Sequence, residues 1–424
     1  MTPEVLITGI GMVSPAGVGA EATFKGLLAG GRYVTNLAGG RHVAAPIADF
    51  PPPRGTENLD RVCQLALAAA EEAVRSAGLP LPGQPSTLEN ARLGLHLNTE
   101  RTMVSVGTSK GGILAFADVA PLLTEKRQLG QGGAAWDRAR LQDALFSIPP
   151  DSPARCIAER FNITAGVHAT VAACSTGTLA VIRAVQMIQD GQADVVLCGS
   201  SDASLHPLWF AAFERMGVLA SEHPAGGPAF ACRPFDRFRA GFALGEGAGI
   251  LVLESGQSVR RRQARPIARI AGVAAGTDPA GLTQISPDAE PLTHVIRLAC
   301  QRAGIRPAEL ACVLAHGTAT PTNDAAEARA IQAVLGEDAC SVPVVSIKGA
   351  IGHLLGAAGA VEIAVAALTC RDGTSPGNVT LIEPDEELGG LNLPREAFPV
   401  GRGPVLKTSL GFGGHVAAIV LASV

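Results

Sequence analysis

The sequence predicts a mostly parallel α/β protein made of two similar halves. Short β-branched and aliphatic runs alternate with helical segments, which is the rhythm of an α/β fold. Each half contains one helix built almost entirely of small and aliphatic residues, at residues 175–189 and 356–368, and such helices are buried on all sides. The repeated rhythm indicates a duplication with a joint near residues 255–266, which divides the chain into residues 1–258 and 259–424.

The first half begins with a strand at residues 5–11, a β-branched run that ends in glycines. An amphipathic helix follows at residues 61–77 and is ended by a glycine and a proline. Residues 128–153, with their glycine and proline pairs, are predicted to cross the surface. Further buried strands are predicted at residues 104–107, 193–199 and 249–254.

The second half repeats this material around its own small-residue helix. Its strand-like segments lie at residues 267–273, 311–315, 342–347 and 417–421. The order of strands and helices therefore predicts a second layered unit like the first.

Composition and charge exclude several classes of protein. Hydrophobic residues make up 47% of the 424 residues and charged residues 17%, so a large core is expected and global disorder is not. The formal net charge of −4 provides no positive field for nucleic acid. Nine scattered cysteines, an odd number, indicate reduced thiols and a cytoplasmic location. The N-terminus shows no export signal, and no apolar run reaches membrane-spanning length, so no membrane is expected as a partner.

Cys174 lies where an apolar strand meets the start of the first small-residue helix. Backbone N–H groups and the helix dipole favour a thiolate there, as a nucleophilic cysteine requires. The small residues around it also leave room for a ligand. A buried, inert thiol is the alternative, and it is the interpretation given to most of the other cysteines, namely Cys63, Cys198, Cys300, Cys312 and Cys370.

His316 and His353 both follow predicted strands, in glycine-containing loops. Loops at the carboxyl ends of strands line the sites of open α/β sheets. A lone histidine is more often structural, but two such histidines together with Cys174 favour a catalytic site. A zinc site is the competing interpretation; because no two of the three residues have close ligand spacing and no carboxylate completes a set, no metal is expected.

Two glycine-rich segments allow more than one interpretation. Residues 9–17 only loosely match a dinucleotide fingerprint, since the glycine spacing is wrong and Pro15 interrupts the helix start, so turn glycines are expected. Residues 410–415 are either a flexible hairpin turn or a loop that brings backbone N–H groups to a reacting oxygen, with Phe412 as a gate. The sequence leaves both interpretations of the second segment open.

Taken together, these segments resemble the β-ketoacyl-acyl carrier protein synthases, the condensing enzymes of fatty-acid and polyketide assembly. The resemblance is to the elongating synthases and the type II polyketide ketosynthases. It implies a thiolase-type, duplicated α-β-α-β-α fold with two mixed five-stranded sheets, and a homodimer or a heterodimer with a related subunit. The motifs that carry it are residues 5–17, 60–78, 172–177, 233–254, 316–324, 348–362 and 409–414.

The resemblance also implies a role for individual residues. Cys174 would hold an acyl group, His316 and His353 would stabilise the enolate formed from malonyl-acyl carrier protein, and backbone N–H groups of Cys174 and Phe412 would hold the oxyanion. The protein would need no cofactor of its own beyond the phosphopantetheine arm of the carrier. Supporting roles fall to Lys348 with its expected partners Glu362 and Glu327, to Asp324, and to Thr318 and Thr320, which match the hydroxyls that bind the arm.

Some residues depart from the family pattern. Thr408 and Leu410 stand where many relatives have asparagine and phenylalanine, and His415 replaces a common threonine, which bears on how the loop moves. Lys110 occupies a position that is often apolar or glycine beside the acyl pocket. Its ammonium would either point inward and shorten the pocket, or point outward to solvent or a dimer partner, and the sequence leaves both open.

Three functions compete at this stage. The leading one is an active condensing enzyme that works with a free acyl carrier protein. The second is a non-catalytic partner of the chain-length type, which usually lacks the cysteine nucleophile. The third is a thiolase-fold enzyme that uses coenzyme A thioesters. The presence of one cysteine, two histidines and Lys348 favours the first.

Overall fold

The computed structural model describes residues 3–37, 40–80, 98–124, 138–223 and 226–424. Its strands are β1 (Val5–Ser14), β2 (Gly17–Val18), β3 (Thr35–Asn36), β4 (Val43–Ala45), β5 (Thr102–Gly107), β6 (Val167–His168), β7 (Val195–Asp202), β8 (Leu244–Gly245), β9 (Gly247–Ser255), β10 (Ala268–Thr277), β11 (Cys312–Leu314), β12 (Val344–Val345), β13 (Thr374–Ser375), β14 (Phe398–Pro399), β15 (Val405–Gly411) and β16 (His415–Ala422). Its α-helices are α1 (Ala20–Leu28), α2 (Arg61–Ser76), α3 (Ile113–Thr124), α4 (Arg138–Ser147), α5 (Ser152–Arg160), α6 (Thr176–Gln189), α7 (Pro207–Arg215), α8 (Gly256–Arg261), α9 (Glu290–Ala303), α10 (Pro321–Leu335), α11 (Lys348–Ile351) and α12 (Ala358–Asp372).

The two halves have the same strand order and the same strand directions. The first half runs β1-β9-β7-β5-β6 and the second β10-β16-β15-β11-β12. In both, the first three strands pair antiparallel and the last three pair parallel. The two five-stranded sets join into one continuous sheet where Val5–Ile7 of β1 pair with residues 268–270 of β10. The predicted duplication and mixed five-stranded sets are therefore present, although they are joined at one edge. The division at residue 258 stays a prediction.

The hydrophobic core shows the five layers. One cluster surrounds α6 and α12 and includes residues from both strand sets, so these two helices form the central layer. A second cluster packs α2 and α5 on the outer face of the first set. A third packs α9 and α10 on the outer face of the second set. This is the α-β-α-β-α order that was predicted.

The two central helices touch through paired glycines. A Cβ on Gly177 of α6 would lie 2.5 Å from the backbone nitrogen of Ala360, and a Cβ on Gly359, in the first turn of α12, would lie 2.4 Å from the Thr178 hydroxyl. Only glycine allows this approach. The two small-residue helices predicted from the sequence thus cross at their N-terminal ends, which brings those ends together.

Local sequence explains where the elements start and stop. The Asp60 side chain accepts a hydrogen bond from Val62 N at 2.8 Å and caps α2, which ends before Gly78 at φ 68°. The predicted elements are confirmed with shifts of a few residues, except that the strand expected at residues 342–347 is only Val344–Val345. In the predicted surface crossing, residues 128–137 lie outside the described part, and the rest forms α4 and the start of α5. In the described ranges, no helix has the length and apolar character needed to cross a bilayer.

Candidate active site

Cys174 lies in a strained turn at the start of α6. A short 3-10 helix, Ala173–Ser175, precedes α6, and Ala173 has a positive φ of 48°. Such backbone strain persists only where neighbouring contacts impose it, and it concentrates at functional sites. The Thr176 hydroxyl supplies these contacts, because it accepts a hydrogen bond from Ala172 N at 2.9 Å and donates to the Ala173 carbonyl at 2.8 Å. The turn presents a half-buried Cys174 to a cleft.

The two predicted histidines face this cysteine. His316 follows β11, and His353 lies between α11 and the 3-10 helix Leu355–Ala357. Their rings meet edge to face, with centroids 5.5 Å apart. The Cys174 sulfur and one ring nitrogen of each histidine all lie within 4.8 Å of one another. Three residues that are far apart in sequence are thus brought together as predicted.

The hydrogen bonds assign the proton positions of the imidazoles. Leu355 N donates to His353 Nδ1 at 3.2 Å, which places the His353 proton on Nε2. Within the described residues, that buried Nε2 has no hydrogen-bond partner. Lys348 Nζ lies 3.4 Å from His316 Nδ1 and favours the same tautomer there. Burial and then the nearby Lys348 ammonium hold the pKa of both imidazoles well below its usual value, so both are neutral N–H donors at neutral pH.

The expectation that the helix start would ionise Cys174 is wrong for the resting protein. Burial raises the pKa of the Cys174 thiol to about 11, and the ammoniums of Lys348 and Lys110 offset this only in part. Desolvating a thiolate costs more free energy than its attraction to the two ammoniums provides. Cys174 is therefore a thiol at neutral pH and must lose its proton during reaction.

A cluster of buried charges lies behind His316. The ammonium of Lys348 donates to the His316 carbonyl and to Glu362 Oε1. The second oxygen of Glu362 lies 3.0 Å from Nζ of Lys407, a residue of β15 that is fully buried. Lys407 was missed in the sequence. Side chains alternate along a strand, so Lys407 shares one face of β15 with Val405 and Ser409, which are both buried. A lysine on a buried face needs a buried partner of opposite charge, and this was the signal available in the sequence.

Glu327 differs from its expected role as a partner of Lys348. Its oxygens accept hydrogen bonds from His316 N and Gly317 N, both at 2.7 Å, and from the Thr408 hydroxyl at 2.6 Å. Glu327 thus fixes the backbone of the His316 loop, and Glu362 is the carboxylate bonded to Lys348. The threonine that departs from the family pattern provides one of these bonds.

Asp324 holds the next part of the same loop. It accepts hydrogen bonds from Phe235 N at 2.8 Å and Ala319 N at 3.2 Å. Burial raises the pKa of the Asp324 carboxyl to about 6. Since Ala319 has a φ of 64°, Asp324 stabilises a strained backbone two residues beyond Gly317.

A cleft opens above the three reactive side chains. The Thr318 and Thr320 hydroxyls line it and lie 2.8 Å apart. Leu410, Phe412 and His415 of the β15–β16 hairpin line it as well. The residues expected to bind the carrier arm and those of the gating loop therefore share one cavity with Cys174.

The β15–β16 hairpin is fastened to the cysteine turn. A Cβ on Gly411 would lie 2.7 Å from the Ala172 carbonyl and 3.0 Å from Ser175 N, so glycine permits direct backbone packing. The Ser175 hydroxyl also donates to the His415 carbonyl at 3.2 Å. These contacts hold the hairpin tip, whose Phe412 lines the same cleft and packs against the same apolar cluster as Cys174.

Lys110 points into the protein. Its ammonium lies 3.3 Å from Asp202 Oδ1, 2.8 Å from the Ser204 hydroxyl and 4.9 Å from the centre of the Trp209 ring. Asp202 is buried and also accepts a hydrogen bond from Gly356 N at 3.1 Å. The ion pair thus links the turn after β5 to the segment that follows His353. Asp202 was not identified from the sequence.

The three reactive atoms also form a set that can hold a metal ion. A tetrahedral zinc site needs four ligands, or three and a water, at about 2.0–2.3 Å from the ion. The same atoms can act as one nucleophile and two hydrogen-bond donors, and the tautomers assigned above provide the two donors.

Family models match both halves of the chain. The model of the beta-ketoacyl synthase N-terminal domain matches residues 2–258, and that of the C-terminal domain matches residues 267–381. The chain belongs to the β-ketoacyl synthase family. This ketosynthase is therefore one of the acyltransferase-type condensing enzymes.

Relatives of the ketosynthase come from both polyketide and fatty-acid systems. The ketoacyl synthase alpha subunit of the tetracenomycin polyketide synthase from Streptomyces glaucescens is 35% identical, over 99% of this chain and 97% of the relative. The 3-oxoacyl-[acyl-carrier-protein] synthase 2 of Staphylococcus aureus is 31% identical, over 98% and 97%. The ketosynthase thus resembles elongating enzymes of both pathways over nearly its whole length.

Solved structures agree on the fold. A type II polyketide synthase acyl-carrier protein in complex with its ketosynthase, bound to the hexaketide, matches with a TM-score of 0.85 at 28% identity, over 100% of both chains. The ishigamide ketosynthase/chain length factor matches with a TM-score of 0.84 at 30% identity, again over 100% of both chains. The thiolase-type fold predicted from the sequence is confirmed.

Proposed function

We propose that this ketosynthase joins an acyl group held on Cys174 to the two-carbon unit of malonyl-acyl carrier protein, with loss of carbon dioxide. One observation carries the proposal: a single thiol and two neutral imidazoles converge within 4.8 Å at the end of one cleft. The product is a β-ketoacyl carrier, in fatty-acid or polyketide chain elongation.

Loading begins when the Cys174 sulfur attacks the thioester carbonyl of an acyl carrier. A bond forms between sulfur and the acyl carbon, the carrier's carbon–sulfur bond breaks, and the thiol proton ends on the departing pantetheine sulfur. The positive end of the 14-residue helix α6 and the Lys348 ammonium stabilise the sulfur as it becomes anionic. In the transition state, these two effects offset the desolvation cost that keeps the Cys174 thiol protonated at rest.

Decarboxylation then uses the two imidazoles. The bond between the malonyl carboxylate and the methylene carbon breaks, carbon dioxide leaves, and the electron pair passes into the thioester carbonyl to give an enolate. The Nε2–H groups of His353 and His316 donate to the enolate oxygen. Donors that are already oriented in a buried site stabilise such charge at no cost of reorganisation.

Bond formation completes the cycle. The enolate carbon attacks the acyl carbonyl on Cys174, and the oxyanion is held by the backbone N–H groups of Cys174 and Phe412. When the oxyanion collapses, the carbon–sulfur bond breaks and Cys174 recovers its proton from solvent. Acyl transfer precedes malonyl binding, so the kinetic order is ping-pong.

The remaining residues shape what enters the site. The Thr318 and Thr320 hydroxyls bind the phosphopantetheine arm of an acyl carrier protein, and the ketosynthase supplies no cofactor of its own. We assign the Lys110–Asp202 pair, whose charges act on the Cys174 thiol, to the acyl side of the site, where displacing a paired and partly buried ammonium with an alkyl chain is costly. A related subunit or a second copy covers the exposed edge strand β6.

The test is incubation with a panel of acyl carriers and malonyl carrier, followed by intact-mass analysis of the protein. We expect an acyl adduct on Cys174 in the wild type and none in Cys174→Ala, whose smaller side chain fits the same turn. We expect His353→Ala to load normally but to release carbon dioxide about 10²–10³-fold more slowly, as for loss of one oxyanion donor.

Other results would contradict the proposal. An adduct that persists in Cys174→Ala would place acylation elsewhere. A wild type that stays unacylated, alone and with a partner subunit, would indicate a non-catalytic chain-length role.

A further inference from the structure

Lys407 is a fully buried lysine that the mechanism above does not use. Its side chain is 0% exposed, and its ammonium lies 3.0 Å from Glu362 Oε2 and 3.2 Å from the Ser409 hydroxyl. A buried charge that is not paired costs several kcal/mol. Valine or methionine at this position would avoid that cost, so the presence of a charged residue indicates that the charge has a role.

Lys407 lies directly beside the strand that leads to His316. In the parallel register of β11 and β15, Leu314 is the partner of Lys407, and His316 follows two residues later. Burial lowers the pKa of the Lys407 ammonium, while Glu362 opposes that change. The ionisable groups packed around it from neighbouring elements are Glu362 of α12, Lys348 of α11, Glu327 of α10 and the loop residues His316 and His353.

Among the four residues Glu362, Glu327, Lys348 and Lys407, two carboxylates face two ammoniums. Glu362 and Glu327 contribute two negative charges, and Lys348 alone neutralises one of them. Without Lys407, one uncompensated negative charge would remain behind the imidazoles that must hold an enolate. Glu362 Oε2 would also lose its ion pair, which would free Glu362 to turn away from Lys348.

We propose that Lys407 is a positioning residue for the decarboxylation step, which acts through Glu362 to hold Lys348 against the His316 loop and which balances the second buried carboxylate. The inference rests on the proposed function. It affects the two half-reactions unequally, because in acyl loading Lys348 acts on the Cys174 sulfur only through its charge, whereas decarboxylation depends on the orientation of the imidazoles beside the cluster.

The first experiment measures both half-reactions in Lys407→Met, which is only one heavy atom shorter than lysine and removes its charge. Carbon dioxide release from malonyl carrier is expected to fall about 10²-fold, the scale of a small displacement in a site. Acyl loading of Cys174 is expected to slow far less, because Lys348 keeps its charge in this variant. Lys25→Met, the same change at an exposed position of α1, is the matched control and is expected to alter neither.

The second experiment tests the charge balance and does not depend on whether Lys407→Met folds as a single variant. Glu362→Gln leaves two neighbouring ammoniums with no carboxylate between them, so it should be the more damaging single change. In Glu362→Gln/Lys407→Met, the repulsion is gone and the oxygen of the new side-chain amide can still accept a hydrogen bond from Lys348. The double variant is therefore expected to release carbon dioxide faster than Glu362→Gln alone.

Two outcomes would overturn the role of Lys407 while leaving the proposed function intact. In one, Lys407→Met slows loading and decarboxylation equally, as a purely structural residue would. In the other, the double variant is no faster than Glu362→Gln. A wild type that neither loads an acyl group nor releases carbon dioxide would remove both proposals together.

Discussion

At Cys174, the protein keeps its nucleophile protonated until substrate arrives. Burial raises the thiol pKa to about 11 and lowers the pKa of both facing imidazoles, so all three groups are neutral at rest. A neutral site avoids holding a buried thiolate or imidazolium. The helix start and the two ammoniums then act on charge that appears only during reaction.

The pH dependence of thiol alkylation tests this state. The rate of Cys174 modification by iodoacetamide should rise about tenfold per pH unit from pH 7 to 9, with no plateau, because the thiolate fraction keeps growing below a pKa of about 11. Peptide mapping of a Cys340→Ser background removes the exposed competing thiol. A plateau below pH 8 would mean that the resting sulfur is already ionised.

Lys110 gives a second prediction at this scale. Lys110→Met removes the ammonium that Asp202 holds and puts a flexible apolar chain in its place. The variant should accept longer acyl chains on Cys174 than the wild type in a competition among carriers, read by intact mass. Arg41→Met, at an exposed ion pair, is the control. An unchanged chain-length distribution would remove Lys110 from the acyl pocket.

The β15–β16 hairpin is the element that ties the gating loop to the nucleophile. In Gly411→Ala, the new methyl would meet the Ala172 carbonyl at 2.7 Å, and a backbone atom cannot move aside as a side-chain end can. Loading of Cys174 should slow by about 10²-fold, because the oxyanion donors are displaced.

Gly276→Ala is the matched control for the hairpin. It adds the same methyl in the neighbouring strand β10, where the nearest atom is a Val295 methyl at 2.9 Å. It should change stability without slowing loading. Equal slowing in both variants would show that the hairpin effect is not specific to the Cys174 turn.

Sequence patterns were sufficient for the elements and for the three reactive residues, because each stands at the end of a strand or the start of a helix. They were insufficient where the state of a residue depends on groups that are distant in the chain. The ionisation of Cys174 depends on burial by segments distant in the chain, and the partners of Lys407 and Lys110 lie on other strands and helices. Glu327 was placed in the right region but given the wrong partner, since its carboxylate oxygens accept from the backbone.

For the whole molecule, duplication explains why the site lies where it does. Each half has a three-residue 3-10 helix before its central helix, Ala173–Ser175 and Leu355–Ala357, and each begins with a residue at positive φ. Cys174 is the middle residue of the first, and Gly356 holds that place in the second. One half thus supplies the nucleophile and the other supplies the imidazoles that face it.

The exposed edge strand of the first strand set is expected to be covered by a second subunit. β6 ends the sheet, and Val167 and Val171 are 42% and 52% exposed. Val171→Asp should lower the mass of the assembly in light scattering, since a charge there opposes burial against a second subunit. Leu282→Asp, at a more exposed loop residue, is the control. An assembly unchanged by Val171→Asp would place the partner elsewhere.

We propose that one thiol and two imidazole N–H groups together make a carbon–carbon bond, and a single-turnover experiment is the sharpest test. Protein already acylated on Cys174 is mixed with malonyl carrier, and the protein mass, carrier mass and carbon dioxide are followed together. We expect the acyl mass to leave Cys174 as a β-ketoacyl carrier two carbons longer appears, with one carbon dioxide released for each product. Release of carbon dioxide while the acyl group stays on Cys174, or a longer carrier formed without that cysteine, would contradict it.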